Sequence, residues 1–150
     1  MSWRGILRKA GIIGSGYSLE FLNQIRLRKN LFQKTTVSVI NTAGAATLTA
    51  AQILGGLIFR DPSGANRSDT TPTAASLIAA IHNCKVGDSF EFTIANTTDA
   101  SETITLISGT GTTRIGTMTI AQNNAKRFRA VITEVSTPAY TVYSLGTSVY

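Results

Sequence analysis

Few residues of this chain are of the types that do chemistry. His82 is its only histidine and Cys84 its only cysteine. General acid–base work needs a titratable group with an orienting partner, and a zinc site needs three or four ligands. Neither residue has such company in the sequence. His82 therefore reads as a helix-end or surface residue, and Cys84 as an inert, half-buried thiol. One cysteine allows no intrachain disulfide and fits a reducing compartment. The glycine runs at 11–16 (GIIGSG) and 108–113 (SGTGTT) lack the Gly-Lys-Ser/Thr ending of a phosphate loop. They read as linker and hairpin glycines. Asp61, Asp69 and Asp88 do not follow calcium-loop spacing and read as solvated loop carboxylates. No catalytic, cofactor or metal residues are assigned, and the chain is not expected to be an enzyme.

What remains is positive charge. The chain carries +6, and the excess lies at one end. Residues 1–34 hold seven bases against one acid, Glu20, whereas residues 35–150 hold seven of each. A neutral body with a basic arm divides the labour: the body packs and the arm reaches for something negative. The candidate partner-binding residues of the arm are Trp3, Arg4, Arg8, Lys9, Arg26, Arg28 and Lys29, with Trp3, Ile6 and Leu7 as a hydrophobic anchor. Nucleic acid, an anionic membrane face or an acidic protein groove would each suit them. The body offers one basic patch, Lys126, Arg127 and Arg129. In a strand, Arg127 and Arg129 share a face while Phe128 points to the core. The alternative for this patch is a solvated face balanced by Glu91, Glu102 or Glu134 across the sheet.

These side chains need elements to position them. The glycines of 1–16 argue against a long helix there, and Arg8 and Lys9 interrupt any signal-like apolar stretch. No window reaches the ~20 apolar residues of a membrane span. Ser18–Lys29 has a capping serine and an apolar stripe of Leu19, Leu22 and Ile25, which predicts a helix. Gln33–Asn41 alternates as a strand. Ile53–Arg60 reads as a strand split at Gly55–Gly56 by a bulge or a close backbone approach. Asp61–Asp69 reads as a loop. Thr71–Cys84 predicts a second helix, capped by Thr71, with Pro72 at its first position and Ala74, Leu77, Ile78 and Ile81 along its buried face. Strands follow at Ser89–Ala95, Glu102–Ile107, Arg114–Ile120, Arg127–Thr133 and Tyr140–Leu145, separated by turn-rich segments. Short strands at this spacing predict a mainly all-β fold: a small β-sandwich of jelly-roll type or a related barrel, with one or two short helices. Helices are too few to cover a parallel sheet, so antiparallel pairing is expected. The division expected is a basic arm with a short helix over 1–34 and a β-sandwich domain over 35–150. Only 15% of residues are charged, against roughly 25% in an average soluble domain. The surface is covered by Thr, Ser, Asn and Gly instead, which suits a protein packed against neighbours and equally an ordinary β-domain rich in Thr.

An ordered set of segments resembles a structural module of large double-stranded DNA virus particles and some phage virions. It comprises LTAAQILGGLI at 48–58, DTTPTAASLIAAI at 69–81, VGDSFEFTIAN at 86–96, GTGTTRIGTMTIA at 109–121, FRAVIT at 128–133 and TVYSL at 141–145. It spans about two thirds of the chain, leaves the first 45 residues uncovered, and contains no catalytic signature. The resemblance implies a minor capsid or cement protein, similar to those beneath or between the major capsid units of chlorovirus-like particles. It implies other capsid proteins as partners, a homo-oligomer with a trimer favoured, assembly in the host cytoplasm, and no cofactor or small-molecule substrate. The arm would then touch an internal membrane, the genome or another capsid component. Two alternatives stand beside this expectation. One is a receptor- or glycan-binding module of a virus or phage fibre, motivated by Tyr140, Tyr143 and Tyr150. The other is nucleic-acid binding through the arm.

Overall fold

The structure, a computed structural model, describes residues 34–149. The arm residues and the helix expected over Ser18–Lys29 lie outside them, as does Tyr150. The described residues are mainly β and form two sheets, the small sandwich-like architecture expected from the strand spacing. The larger sheet has six strands: β1 (Thr36–Ile40), β2 (Gly56–Arg60), β4 (Ser89–Asn96), β8 (Asn124–Glu134), β9 (Ala139–Val149) and β6 (Thr112–Ile115), in that spatial order. The smaller has β3 (Arg67–Thr70), β5 (Ile104–Ile107) and β7 (Thr119–Ile120). Two short helices, α1 (Ala50–Gly55) and α2 (Ala74–Ala80), complete the body.

The alternation of β4 and β8 sets the core. Phe92 and Ile94 on β4, and Phe128, Ala130 and Ile132 on β8, point inward. Phe92 and Phe128 are cross-strand partners with ring centroids 5.2 Å apart. Burying each ring stabilises the fold by roughly 1.5–3 kcal/mol. Ile104, Leu106 and Ile120 of the small sheet close over them, and Ile53 of α1 and Leu77 of α2 join the same cluster.

Several boundaries differ from the sequence reading. Residues 50–55 form a helix, whereas the sequence predicts a strand from Ile53. Thr49 caps it: its hydroxyl accepts from the Gln52 N–H at 3.2 Å while the Gln52 side chain accepts from the Thr49 N–H at 2.8 Å. That reciprocal pair outweighs the β-propensity of Ile53. Gly56 ends the helix in the left-handed region (φ 91°) and starts β2. The close approach predicted for this glycine pair is present, since a Cβ on Gly55 would lie 2.7 Å from the Thr36 carbonyl oxygen. α2 is shorter than expected, and its cap is Thr73, not Thr71. Thr71 is occupied elsewhere: its hydroxyl accepts from the Gly109 N–H at 2.8 Å. The single strand expected over Arg114–Ile120 is two strands in different sheets, broken at Gly116 (φ 95°).

Strand direction also departs from expectation. β1–β2, β2–β4, β3–β5 and β6–β9 all pair in parallel. Helices do not cover both sides here: the small sheet closes over the inner face, and the outer face keeps Glu91, Arg127 and Arg129 as well as Val37 and Val39 at solvent.

Candidate functional site: the outer face of the six-stranded sheet

Sequence alternation and strand register place one row of side chains on the outer face. Across β1, β2, β4, β8 and β9 it holds Val37 and Val39, then Leu57 and Phe59, then Glu91, Thr93 and Ala95, then Ala125, Arg127 and Arg129, then Tyr143. Its β1 end is apolar. Val37 and Val39 are 53% and 65% exposed, and each pairs with a half-buried neighbour, Leu57 and Phe59 respectively. Among the described residues β1 has a strand partner on one side only. An edge strand is normally blunted by a charge, a proline or a bulge, and TVSVI has none of them. At the opposite edge, β6 exposes Ile115.

The middle of the face holds the basic patch, divided by the strand. Arg127 and Arg129 share the outer face as expected, and both meet Glu91: Arg129 Nη2 lies 2.5 Å from Glu91 Oε1, and Arg127 Nε lies 3.7 Å from Oε2. Glu91 is thus the balancing acid, across the β4–β8 pair. Lys126 points the other way. It is 5% exposed and its amine donates to the Thr117 carbonyl at 2.9 Å. Burial pushes its pKa below the ordinary lysine value. The three bases therefore do not form one surface. Of the other candidate acids, Glu102 is buried and accepts from the Thr98 hydroxyl at 2.7 Å. Glu134 is held below the usual carboxylate range by the Ser136 N–H and hydroxyl and the Val135 N–H.

The largest polar constellation of the interior gives no signal in the sequence. Arg60, at the end of β2, is fully buried and its Nε lies 2.7 Å from Asp69 Oδ2. The rest of the guanidinium donates to the carbonyls of Thr42 (3.0 Å), Gly44 (2.6 Å) and Asp61. Asp69 also accepts from the Ala46 N–H at 2.7 Å. Asp69 is thus not the solvated loop carboxylate expected; it lies in β3 and is a buried structural anion. Asp61 accepts from the Ser63 N–H and Asp88 from the Lys85 N–H, as turn residues do.

The remaining candidates lie apart from this face or at its edge. His82 is exposed and touches Asn83. Cys84 is half-buried, its thiol pKa pushed up by burial and then by the charge of Asp88. Tyr140, expected at a recognition surface, is instead buried: its hydroxyl donates to the Pro72 carbonyl at 2.8 Å, and burial raises its pKa. Tyr143 does reach the outer face. Among the described residues no group of three or more His, Cys, Asp or Glu could hold a metal ion, and no helix is long and apolar enough to cross a membrane. No protein family, curated protein or solved structure matches this chain.

Proposed function

We propose that the protein is a structural component of a virion, a minor capsid or cement protein that joins capsid subunits through its β-domain and ties them to a further component through the basic arm. The observation that carries the assembly part is the edge of β1: uncharged, unblunted and bearing exposed Val37 and Val39 beside Leu57 and Phe59. Such an edge is a template for another strand. A second copy is the partner proposed, with other capsid proteins beyond it. The virion setting rests on the ordered set of segments noted in the sequence and on the low share of charged residues. The arm residues Trp3, Arg4, Arg8, Lys9, Arg26, Arg28 and Lys29 supply the tether, to another capsid protein, an internal membrane or the genome.

Solution mass tests the reading. The full chain, a version lacking Met1–Lys34 and the variant Val37→Lys/Val39→Lys are compared by sedimentation at low and high salt. A discrete oligomer that survives arm removal and is lost in the double variant supports assembly through β1. A chain that is monomeric at high concentration, or an oligomer untouched by the two lysines, overturns it. Absence of the chain from purified particles of the virus that encodes it overturns the virion setting.

A further inference from the structure

On the outer face, away from the β1 edge, β8 and β9 slip out of register. Arg127 pairs with Gly146 and Phe128 with Ser144, so Leu145 has no partner and forms a bulge. Bulges re-aim side chains and often adjoin functional sites. Here the bulge sits beside a set of small residues. Gly146 faces Arg127 with a φ of 155° and open space where a Cβ would stand. Ala125, two residues along the same face, pairs with Ser148. Their short side chains leave a depression of about 320 Å³ lined by Thr93, Ala125, Arg127, Gly146, Thr147 and Ser148. Ligand cavities begin at roughly that size.

Among the described residues Arg127 is the only charged group lining it, and it is incompletely used. Its side chain is 63% exposed, and among the described residues it makes no hydrogen bond, only the 3.7 Å ion pair to Glu91. Glu91 is engaged by Arg129 through the closer contact. A guanidinium with free donors prefers a planar or tetrahedral oxyanion. Two arginines and one glutamate leave a single net positive charge at this place, which matches one anionic group. A nucleic-acid backbone would need several more bases. The wall opposite the guanidinium offers hydroxyls and no large apolar side chain, so it suits a hydroxylated ligand better than a peptide anchor.

We propose that this depression binds an acidic saccharide. The Arg127 guanidinium takes the carboxylate or sulfate group, and the hydroxyls of Thr93 and Ser148, on the same face, meet those of the sugar ring. The site lies on β4, β8 and β9 and does not depend on assembly through β1.

The test is a titration of the full chain, followed by its backbone amide resonances, with glucuronate, galactose 6-sulfate, neutral galactose, acetate and inorganic sulfate. Saturable shifts at Thr93 and at Gly146–Ser148 with glucuronate or galactose 6-sulfate are expected, and the stronger of the two identifies the anionic group. Neutral galactose is expected to leave these amides unmoved. Arg127→Gln, at an exposed position, weakens binding at least tenfold, and Glu91→Gln tightens it several-fold by removing the competing carboxylate. Equal binding of neutral galactose, or acetate and sulfate matching the saccharides in affinity, overturns the proposal. So does unchanged affinity in Arg127→Gln, or the absence of any shift.

Discussion

Arg60 and Arg129 leave opposite faces of the six-stranded sheet, and each meets a carboxylate, Asp69 of the small sheet and Glu91 of the large one. Arg60 points inward to Asp69, with both side chains almost wholly removed from water. Arg129 points outward to Glu91, with about half of its side chain still wet. The distances are similar, yet the physics is not. In water a close ion pair is screened and contributes about 0–1 kcal/mol. In the interior both charges lose hydration, and the pair persists only because the carbonyls of Thr42, Gly44 and Asp61 and the Ala46 N–H occupy the remaining donors and acceptors. The inner pair is therefore architecture: it ties the segment after β1 to β2 and β3. The outer pair leaves the neighbouring Arg127 only a longer, 3.7 Å contact to the same carboxylate.

The strongest break in this comparison is Asp69→Ala. It strands a buried guanidinium and is expected to cost about 3–5 kcal/mol, read as a fall in the urea midpoint. That is enough to unfold a domain of marginal stability. Tyr140→Phe removes a buried hydroxyl from the Pro72 carbonyl and is expected to cost about 1 kcal/mol in the same assay. The parent loses stability at alkaline pH, because the folded state holds the Tyr140 proton above the ordinary tyrosine value near 10 and the unfolded chain releases it. The phenylalanine variant is expected to lose less there.

Lys126 sharpens the contrast from the other side, as an inward cation with no carboxylate within salt-bridge range among the described residues. Burial lowers its folded-state pKa, so between that value and the ordinary one near 10.5 the unfolded chain binds more protons. Its contribution to stability therefore rises with pH through that window. Lys126→Met is expected to be as stable as the parent or more so at pH 7, and to lack that rise. Glu91→Gln is expected to have the smallest effect, under about 1 kcal/mol and vanishing at high salt. A large loss there would mean that the outer face contributes to stability on the same scale as the inner one.

The same contrast explains what is legible in the sequence. Alternation writes β4 and β8 plainly, because Phe92, Ile94, Phe128 and Ile132 must share a face, and it separates Arg127 and Arg129 from Phe128. Glu91 can be named among the balancing acids on the same ground. β3 is hidden, because RSDT has no apolar alternation and its inward residue is an aspartate that only Arg60 makes tolerable. Parallel pairing is hidden too, since it depends on which segments meet, not on the pattern within any one of them. α1 does carry a local signal, the capping box of Thr49 and Gln52 three residues apart, which the apolar run from Ile53 masks. The depression beside Arg127 is out of reach, for it arises from a register slip at Leu145 that no single strand pattern records.

The Arg60 clip has a mechanical consequence. It gathers the carbonyls just beyond the C-terminal end of β1, while the arm joins at the N-terminal end. Tension drawn along the arm parallel to the strand loads the β1–β2 hydrogen bonds in shear, all together, with the clip anchoring the far end. The same tension drawn across the sheet opens them one at a time. The direction of pull, as much as the strength of any contact, would then set how firmly β1 stays in the sheet.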